Sequence, residues 1–261
     1  MNRIDLKFSK LKERGEKALI PFITSGDPDL DTTVELVIAM EEAGADIIEL
    51  GIPYSDPLAD GPTIQASSNR SLKGGTKIVN IMDTVKRIRE KTEVPLVYLV
   101  YYNSIFKYGM EKFIRECSEC GVDGIIIPDL PIEERKDIAA IGKKYNVHLI
   151  PLVAPTSKER IEKIVKDAGG FVYCVSVNGV TGTRSSINTD IEEYMNIISS
   201  YTNVPKALGF GISSAEMAAK FKPYCEGIIV GSAVIKKIEA GKSKEDIIEN
   251  VKKFIRELKL A

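Results

Sequence analysis

The sequence predicts one α/β domain over residues 1–261, a (β/α)8 barrel with an extra helix ahead of the first strand. Three observations predict it. Short apolar runs alternate with amphipathic segments eight times, the pattern of parallel strands joined by crossover helices. The runs are continuously apolar, as strands covered on both faces must be. The 261 residues match the length such a barrel takes. An open doubly wound sheet uses the same units, but no Gly-x-Gly-x-x-Gly follows the first strand, where a dinucleotide fold needs it.

Asn2 to Arg14 is a short amphipathic segment, the extra helix. The first strand is Ala18 to Thr24, ending in Ser25-Gly26-Asp27-Pro28. Asp31 to Ala43 has helical periodicity through Val34, Val37 and Ile38, and stops at Gly44. The second strand, Ala45 to Gly51, runs into a long loop, and a helix from Ile78 to Lys91 follows. The third strand, Pro95 to Tyr102, precedes the helix Met110 to Cys120, closed by Gly121. The fourth, Gly124 to Pro128, leads to the helix Ile132 to Tyr145, and the fifth is His148 to Val153. A helix from Ser157 to Ala168 ends at Gly169-Gly170. The sixth strand, Phe171 to Val177, is followed by the loop Asn178 to Arg184 and the helix Ile191 to Tyr201. The seventh is Val204 to Phe210, then Gly211-Ile-Ser-Ser and the helix Ala215 to Lys220. The eighth is Gly227 to Val230, then Gly231-Ser-Ala and a final helix Lys244 to Leu258.

Composition excludes several classes. With 44% apolar and 28% charged residues the chain can bury a sizeable core, and its net charge of −1 leaves no electrostatic footprint for nucleic acid. No apolar run approaches a membrane span and the charged N-terminus lacks an apolar signal core, so a soluble, cytoplasmic protein is expected. Cys117 and Cys120 form a C-x-x-C inside a helical pattern; with no second pair and no nearby His they read, like Cys174 and Cys225, as buried free thiols. The single His, His148, starts an apolar strand and reads as a packing residue. No metal site is expected.

The functional signal centres on residues 46 to 65. In the strand, Ile48 and Leu50 share one face, while Ile47, Glu49 and Gly51 share the other. A carboxylate in such a strand is costly unless it is paired or does chemistry. The loop beyond it is shaped by Pro53, Pro57, Gly61 and Pro62 and carries Asp56 and Asp60. Glu49 and Asp60 therefore form a candidate acid–base pair at the C-terminal strand ends, where barrels build their sites. A plain ion pair for Glu49 and a solvent-facing or capping role for Asp60 stand beside that reading. Tyr173 shares a face with Phe171 and Val175 and can turn its phenol inward, or be a core aromatic with its hydroxyl satisfied.

Glycines close three late loops, at Gly182, at Gly209-Phe210-Gly211-Ile212-Ser213 and at Gly231-Ser232. Late barrel loops of this kind bind phosphate through backbone N–H groups, and glycine permits the close approach. The sixth strand carries no Lys for a Schiff base, and Lys206 sits at the start of the seventh, the wrong end. A barrel of this make-up that breaks a C–C bond needs an electron sink in its substrate and carboxylates to move protons.

The chain closely resembles the tryptophan synthase α-subunit family from end to end. The resemblance rests on Pro21-Phe-Ile-Thr-Ser-Gly-Asp-Pro28, on Glu49-Leu-Gly-Ile-Pro-Tyr-Ser-Asp-Pro-Leu-Ala-Asp-Gly-Pro-Thr-Ile-Gln65 and on Pro128-Asp-Leu-Pro131. It continues with Gly179-Val-Thr-Gly182, Gly209-Phe-Gly-Ile-Ser213 and Val230-Gly-Ser232. It implies a (β/α)8 barrel and retro-aldol cleavage of indole-3-glycerol phosphate to indole and glyceraldehyde 3-phosphate. By resemblance, Glu49 protonates the ring carbon bearing the chain and takes part in deprotonating the chain hydroxyl, Asp60 holds the indole N–H, and Tyr173 lies near Glu49. Phe22, Leu99, Tyr101 and Asp129 match pocket positions, and Thr181, Gly182, Phe210, Gly211, Gly231 and Ser232 fall on the substrate and phosphate loops.

The resemblance also implies a pyridoxal-phosphate β subunit as partner in an α2β2 assembly, receiving indole through a tunnel. Pro53, Asp56 and Pro57 then lie at the partner interface, and no cofactor is expected in this chain. One departure stands out. Some relatives carry Arg two residues before the first glycine of Gly-Val-Thr-Gly, where this chain has Val177, so a charge contact there cannot be carried over. The rival readings are another phosphate-binding barrel, such as a sugar-phosphate isomerase or epimerase, and a regulatory subunit without turnover; intact Glu49 and Asp60 argue against the second.

Overall fold

The structure, a computed structural model, describes residues 1–175 and 187–261. In order the elements are α1 (Arg3–Glu13), β1 (Ala18–Thr24), α2 (Leu30–Glu42), β2 (Ile48–Gly51), α3 (Pro62–Lys73), α4 (Ile78–Arg89), β3 (Leu96–Leu99), α5 (Tyr102–Tyr108) and α6 (Met110–Cys120). Then come β4 (Gly124–Ile126), α7 (Arg135–Lys144), β5 (His148–Ile150), β6 (Leu152–Val153), α8 (Ile161–Val165), β7 (Val172–Val175) and α9 (Ile187–Tyr201). The last are β8 (Lys206–Gly209), α10 (Ala215–Phe221), β9 (Gly227–Val230), α11 (Ser232–Ala240) and α12 (Lys244–Leu260).

Every strand pairing is parallel, and the sheet runs β5-β4-β3-β2-β1-β9-β8-β7-β6. Its two ends are halves of one predicted strand: only Pro151 separates β5 from β6, and the Pro151 carbonyl accepts the Tyr173 N–H at 2.9 Å. The nine segments thus fill eight strand positions around a barrel. Proline has no N–H to give the ladder, which is why the predicted strand His148 to Val153 divides there.

Alternation sorts the core into two layers. Inside the barrel lie Ala18, Ile20, Ile47, Val97, Ile126, Ile150, Phe171, Ala207 and Ile229, joined from below by Ile4, Phe8 and Leu11 of α1. The extra helix is therefore a plug in the N-terminal end, with the Phe8 and Phe171 rings 5.9 Å apart. Asn2 caps it and also donates to the carbonyls of Asp123 and Asn146 at 2.8 and 2.9 Å. His148 lies at this end too, 3.0 Å from Asp5, in the packing role expected of it. The outward residues, Ile48 and Leu50 among them, pack against the helices. Aspartates tie consecutive units together: buried Asp46 accepts the Leu19 N–H, buried Asp123 the Leu96 N–H and half-buried Asp129 the Tyr102 N–H, each at 2.9 Å.

Four helices depart from the sequence reading. The long loop after the second strand contains α3, whose buried residues are Ser67, Ser68 and Ser71, so no apolar stripe announces it. The Gly231-Ser-Ala turn opens α11, buried through Val234, Ile235 and Ile238. The expected third strand stops at Leu99, and its predicted end, Tyr102, begins the seven-residue α5. The expected helix Ser157 to Ala168 is shorter, a 3-10 segment over Pro155–Arg160 followed by α8.

Candidate active site

β2 enters the barrel as an apolar strand and turns one carboxyl inward. Glu49 pairs in register with Phe22 of β1 and Val97 of β3, at the C-terminal end of the strands. Its residue exposure is 1%, and among the described residues its Oε2 has no hydrogen-bond partner. Burial pushes Glu49 from the ordinary 4.5 to about 8, and the nearby Asp60 carboxylate adds to the rise. The side chain is thus a carboxylic acid at neutral pH. Among the described residues no cation pairs with Glu49, the alternative reading for it.

Asp60 stands two residues before α3, half-buried. Burial raises its pKa, and a hydrogen bond from the Tyr101 hydroxyl opposes the rise. Tyr173 comes from the other side of the barrel; burial raises its phenol first, then the charges of Glu49 and Asp60. That mutual influence places the three predicted catalytic groups together. Gly209 makes room for the third: a Cβ there would lie 2.7 Å from Tyr173 Cε1.

The wall is aromatic. Phe22 lies against Gly51, where a Cβ would come within 2.6 Å of its ring, and also near Gly231. The Tyr101 hydroxyl accepts the Ala59 N–H at 3.0 Å, so this phenol holds the loop backbone and lowers the Asp60 pKa from close by. Tyr54 stacks on Tyr101, ring centroids 4.9 Å apart at 18°, and Asn103 Nδ2 donates to its hydroxyl at 3.1 Å. Neither Tyr54 nor Asn103 stood out in the sequence; the signal available was an aromatic residue inside a Pro-bounded loop. Leu99 packs on the barrel interior, and Asp129 caps α5.

Gly231 precedes α11 with φ −104° and ψ −85°, and Ser232 is the exposed first helical residue. The leading N–H groups of a helix have no intrahelical acceptor, a feature helix starts can use to bind anions. Gly211 has φ +63°, a left-handed conformation suited to glycine. Phe210 is engaged elsewhere: its ring lies 6.0 Å from that of Phe221 on the helix side of β8. Thr181, Gly182 and Val177 lie outside the described residues. Pro53 is buried, Pro57 half-buried, and Asp56 exposed with a hydrogen bond from Ser55.

Lys206 is paired with Glu226 at 3.2 Å at the start of β8, away from the mouth. Among the described residues no group of three or more His, Cys, Asp or Glu is arranged to hold a metal ion. The four cysteines are buried and free, with burial pushing Cys120 up to about 11 and Cys225 up to about 12. No helix among the described residues is long and apolar enough to cross a membrane.

A buried carboxyl influenced by a second one near the C-terminal ends of the strands of a parallel barrel places the chain in the (β/α)8 class, with an arrangement suited to acid–base chemistry. Residues 8–261 match the family described as tryptophan synthase alpha chain. A tryptophan synthase alpha chain from Clostridium kluyveri is 65% identical over 259 residues, 99% of this chain and 98% of that one. Among solved structures, the alpha chain from Legionella pneumophila superposes with TM-score 0.91 at 34% identity, covering 100% of this chain and 97% of that one. The α2β2 tryptophan synthase complex of Pyrococcus furiosus contains a similar chain, with TM-score 0.86 at 38% identity over 92% of this chain and 97% of that one. The chain belongs to the tryptophan synthase alpha chain family. It is a lyase acting on indole-3-glycerol phosphate, which the family cleaves to indole and glyceraldehyde 3-phosphate, the indole passing to the β subunit.

Proposed function

We propose that Glu49 is the proton donor of this cleavage and Asp60 the group that holds the indole N–H. The carrying observation is the buried Glu49 carboxyl, whose Oε2 has no hydrogen-bond partner among the described residues and which burial and the nearby Asp60 push up to about 8. Glu49 gives its proton to the ring carbon bearing the glycerol chain. The positive charge that develops on the ring nitrogen is stabilised by the Asp60 carboxylate. The resulting Glu49 carboxylate takes part in removing the proton of the chain hydroxyl beside the ring. The C–C bond then breaks, its electrons restore the aromatic ring, and the hydroxyl carbon leaves as the aldehyde. The indole ring is the electron sink, so neither a Schiff-base lysine nor a metal enters this scheme.

Tyr173 and Phe22 line the reacting end of the substrate, Leu99, Tyr101 and Asp129 its ring pocket. The phosphate is assigned to the loop of Thr181 and Gly182, the Phe210-Gly211 turn and the start of α11 at Gly231-Ser232. Phe210 then contributes backbone, since its ring rests on Phe221. Pro53, Asp56 and Pro57 are assigned to the β interface in an α2β2 assembly. Leu58, 88% exposed in the same loop, and Phe106, 67% exposed on α5, supply the apolar rim that such docking needs. Pyridoxal phosphate belongs to that partner. Four free buried thiols suit the reducing cytoplasm.

Single-turnover cleavage across pH tests the assignment. The rate is expected to fall as pH rises through about 8, where Glu49 loses its proton. Glu49→Gln should bind substrate and release almost no indole, and Asp60→Asn should be slowed by about 100-fold, the cost of one preorganised charge-stabilising contact. Near-normal cleavage by Glu49→Gln removes the assignment.

A further inference from the structure

α3 carries Asp60 at its head and is docked unusually. Its buried face is serine, so its seat depends on directed polar bonds. Ser67 Oγ and Thr24 Oγ1 are 2.6 Å apart, and Ser71 Oγ donates to the Ser25 carbonyl at 2.6 Å. The strongest tie is Arg70, whose Nε and Nη2 donate to the two carboxylate oxygens of buried Asp27, both at 2.8 Å. A bidentate, charge-assisted pair fixes orientation as well as distance. The third nitrogen of the same guanidinium, Nη1, reaches Glu239 of α11 at 3.4 Å.

α3 and α11 therefore meet at two levels. At the mouth, Ile64 in the first turn of α3 lies beside Gly231: a Cβ on that glycine would be 3.8 Å from Ile64 Cδ1. Two turns further along both helices, Arg70 bridges to Glu239 while anchored on Asp27. A helix is stiff over this length, so the far bridge sets the angle between the two helices and hence the spacing of their first turns. One of those turns follows Asp60; the other begins with Ser232.

We infer that Arg70 is a positioning residue for the cleavage reaction: it sets the spacing between the group that holds the indole N–H and the helix start that holds the phosphate. The inference rests on the assignment of Asp60 to the indole nitrogen and of Gly231-Ser232 to the phosphate. Arg70 touches neither end of the substrate. It decides whether both ends can be held at once.

The test compares Arg70→Gln, Arg70→Lys and the unsubstituted chain, titrated by NMR with three probes. These are indole, glycerol 3-phosphate, and 3-(indol-3-yl)propyl phosphate, which joins the two ends and cannot be cleaved. Both variants are expected to bind the separate ends as the unsubstituted chain does, and the joined probe about tenfold more weakly, because linkage helps only when geometry allows both ends to engage. Their kcat/KM should fall by about 100-fold, the scale of a misplacement near 1 Å. Lysine keeps the charge and the stem and loses only the fork, so it carries the test if Arg70→Gln does not fold. Joined-probe affinity equal to that of the unsubstituted chain overturns the inference, as does equal weakening of all three probes, the mark of general loosening. Asp60→Asn binding indole unchanged removes the assignment beneath the inference, and the inference with it, whatever the Arg70 variants do.

Discussion

Replacing Glu49 by Gln should stabilise the folded chain, and by an amount that grows with pH. Below pH 4.5 the carboxyl is neutral in both folded and unfolded chains, and Gln replaces it nearly like for like. Above 4.5 the unfolded chain gives up this proton, whereas the folded chain keeps it to about 8. Between these values the folded state binds more protons than the unfolded state, so stability falls as pH rises. The stability present below 4.5 is lost by the time pH has passed through 8. The interval is about 3.5 pH units at about 1.36 kcal/mol each, so Glu49→Gln should gain about 5 kcal/mol on the unsubstituted chain between pH 4.5 and 8. Against a total of about 5–15 kcal/mol for a typical domain, that gain is easily measured. Urea unfolding of both proteins at half-unit pH steps gives the difference directly, with equal m-values as the check that the unfolded states match. A gap that stays constant from pH 5 to 8 would mean instead that Glu49 ionises at its ordinary pKa inside the barrel.

Three other substitutions test the surrounding geometry. Gly209→Ala drives a methyl to 2.7 Å from the Tyr173 ring; overpacking of this kind costs about 1–3 kcal/mol, and kcat/KM should fall with it, read by urea unfolding and by indole release. Tyr101→Phe removes the hydroxyl that lowers the Asp60 pKa, so the acid limb of the pH–rate profile should move to higher pH. Asp123→Ala should cost about 3–5 kcal/mol, because it strands the Arg89 guanidinium now 3.0 Å from that carboxylate. At temperatures where this variant remains folded its kcat/KM should be unchanged, since Asp123 lies at the closed end of the barrel beside α1.

The parts of the fold legible in the sequence are those made by apolar burial. β1, β9 and α6 run over the predicted residues, because continuous apolar runs and a stripe of Phe113, Ile114 and Cys117 declare themselves. α3 escaped because its docking face is Ser67, Ser68 and Ser71, residues that ordinarily read as loop. α11 escaped because the glycine that precedes it also reads as a turn. The break at Pro151 was visible as a proline, but that barrel closure falls there follows only from the pairing of both halves.

The site divides in the same way. Glu49 was legible as a carboxyl in a strand with no reason to hold one. The roles of Tyr101, Tyr54 and Asn103 were not, since a stack and two hydrogen bonds across 42 to 49 residues of sequence leave no local pattern. Arg70 is the clearest case. On the sequence it is one more basic residue, and its meaning comes from Asp27 and Glu239, 43 and 169 residues away.

Indole release from indole-3-glycerol phosphate by the purified chain, alone and with an added β subunit, and by Glu49→Gln under both conditions, tests the mechanism most directly. The chain should release indole slowly alone and much faster with β, while Glu49→Gln releases essentially none in either case despite binding the substrate. Comparable release by Glu49→Gln would contradict the central role given to that carboxyl.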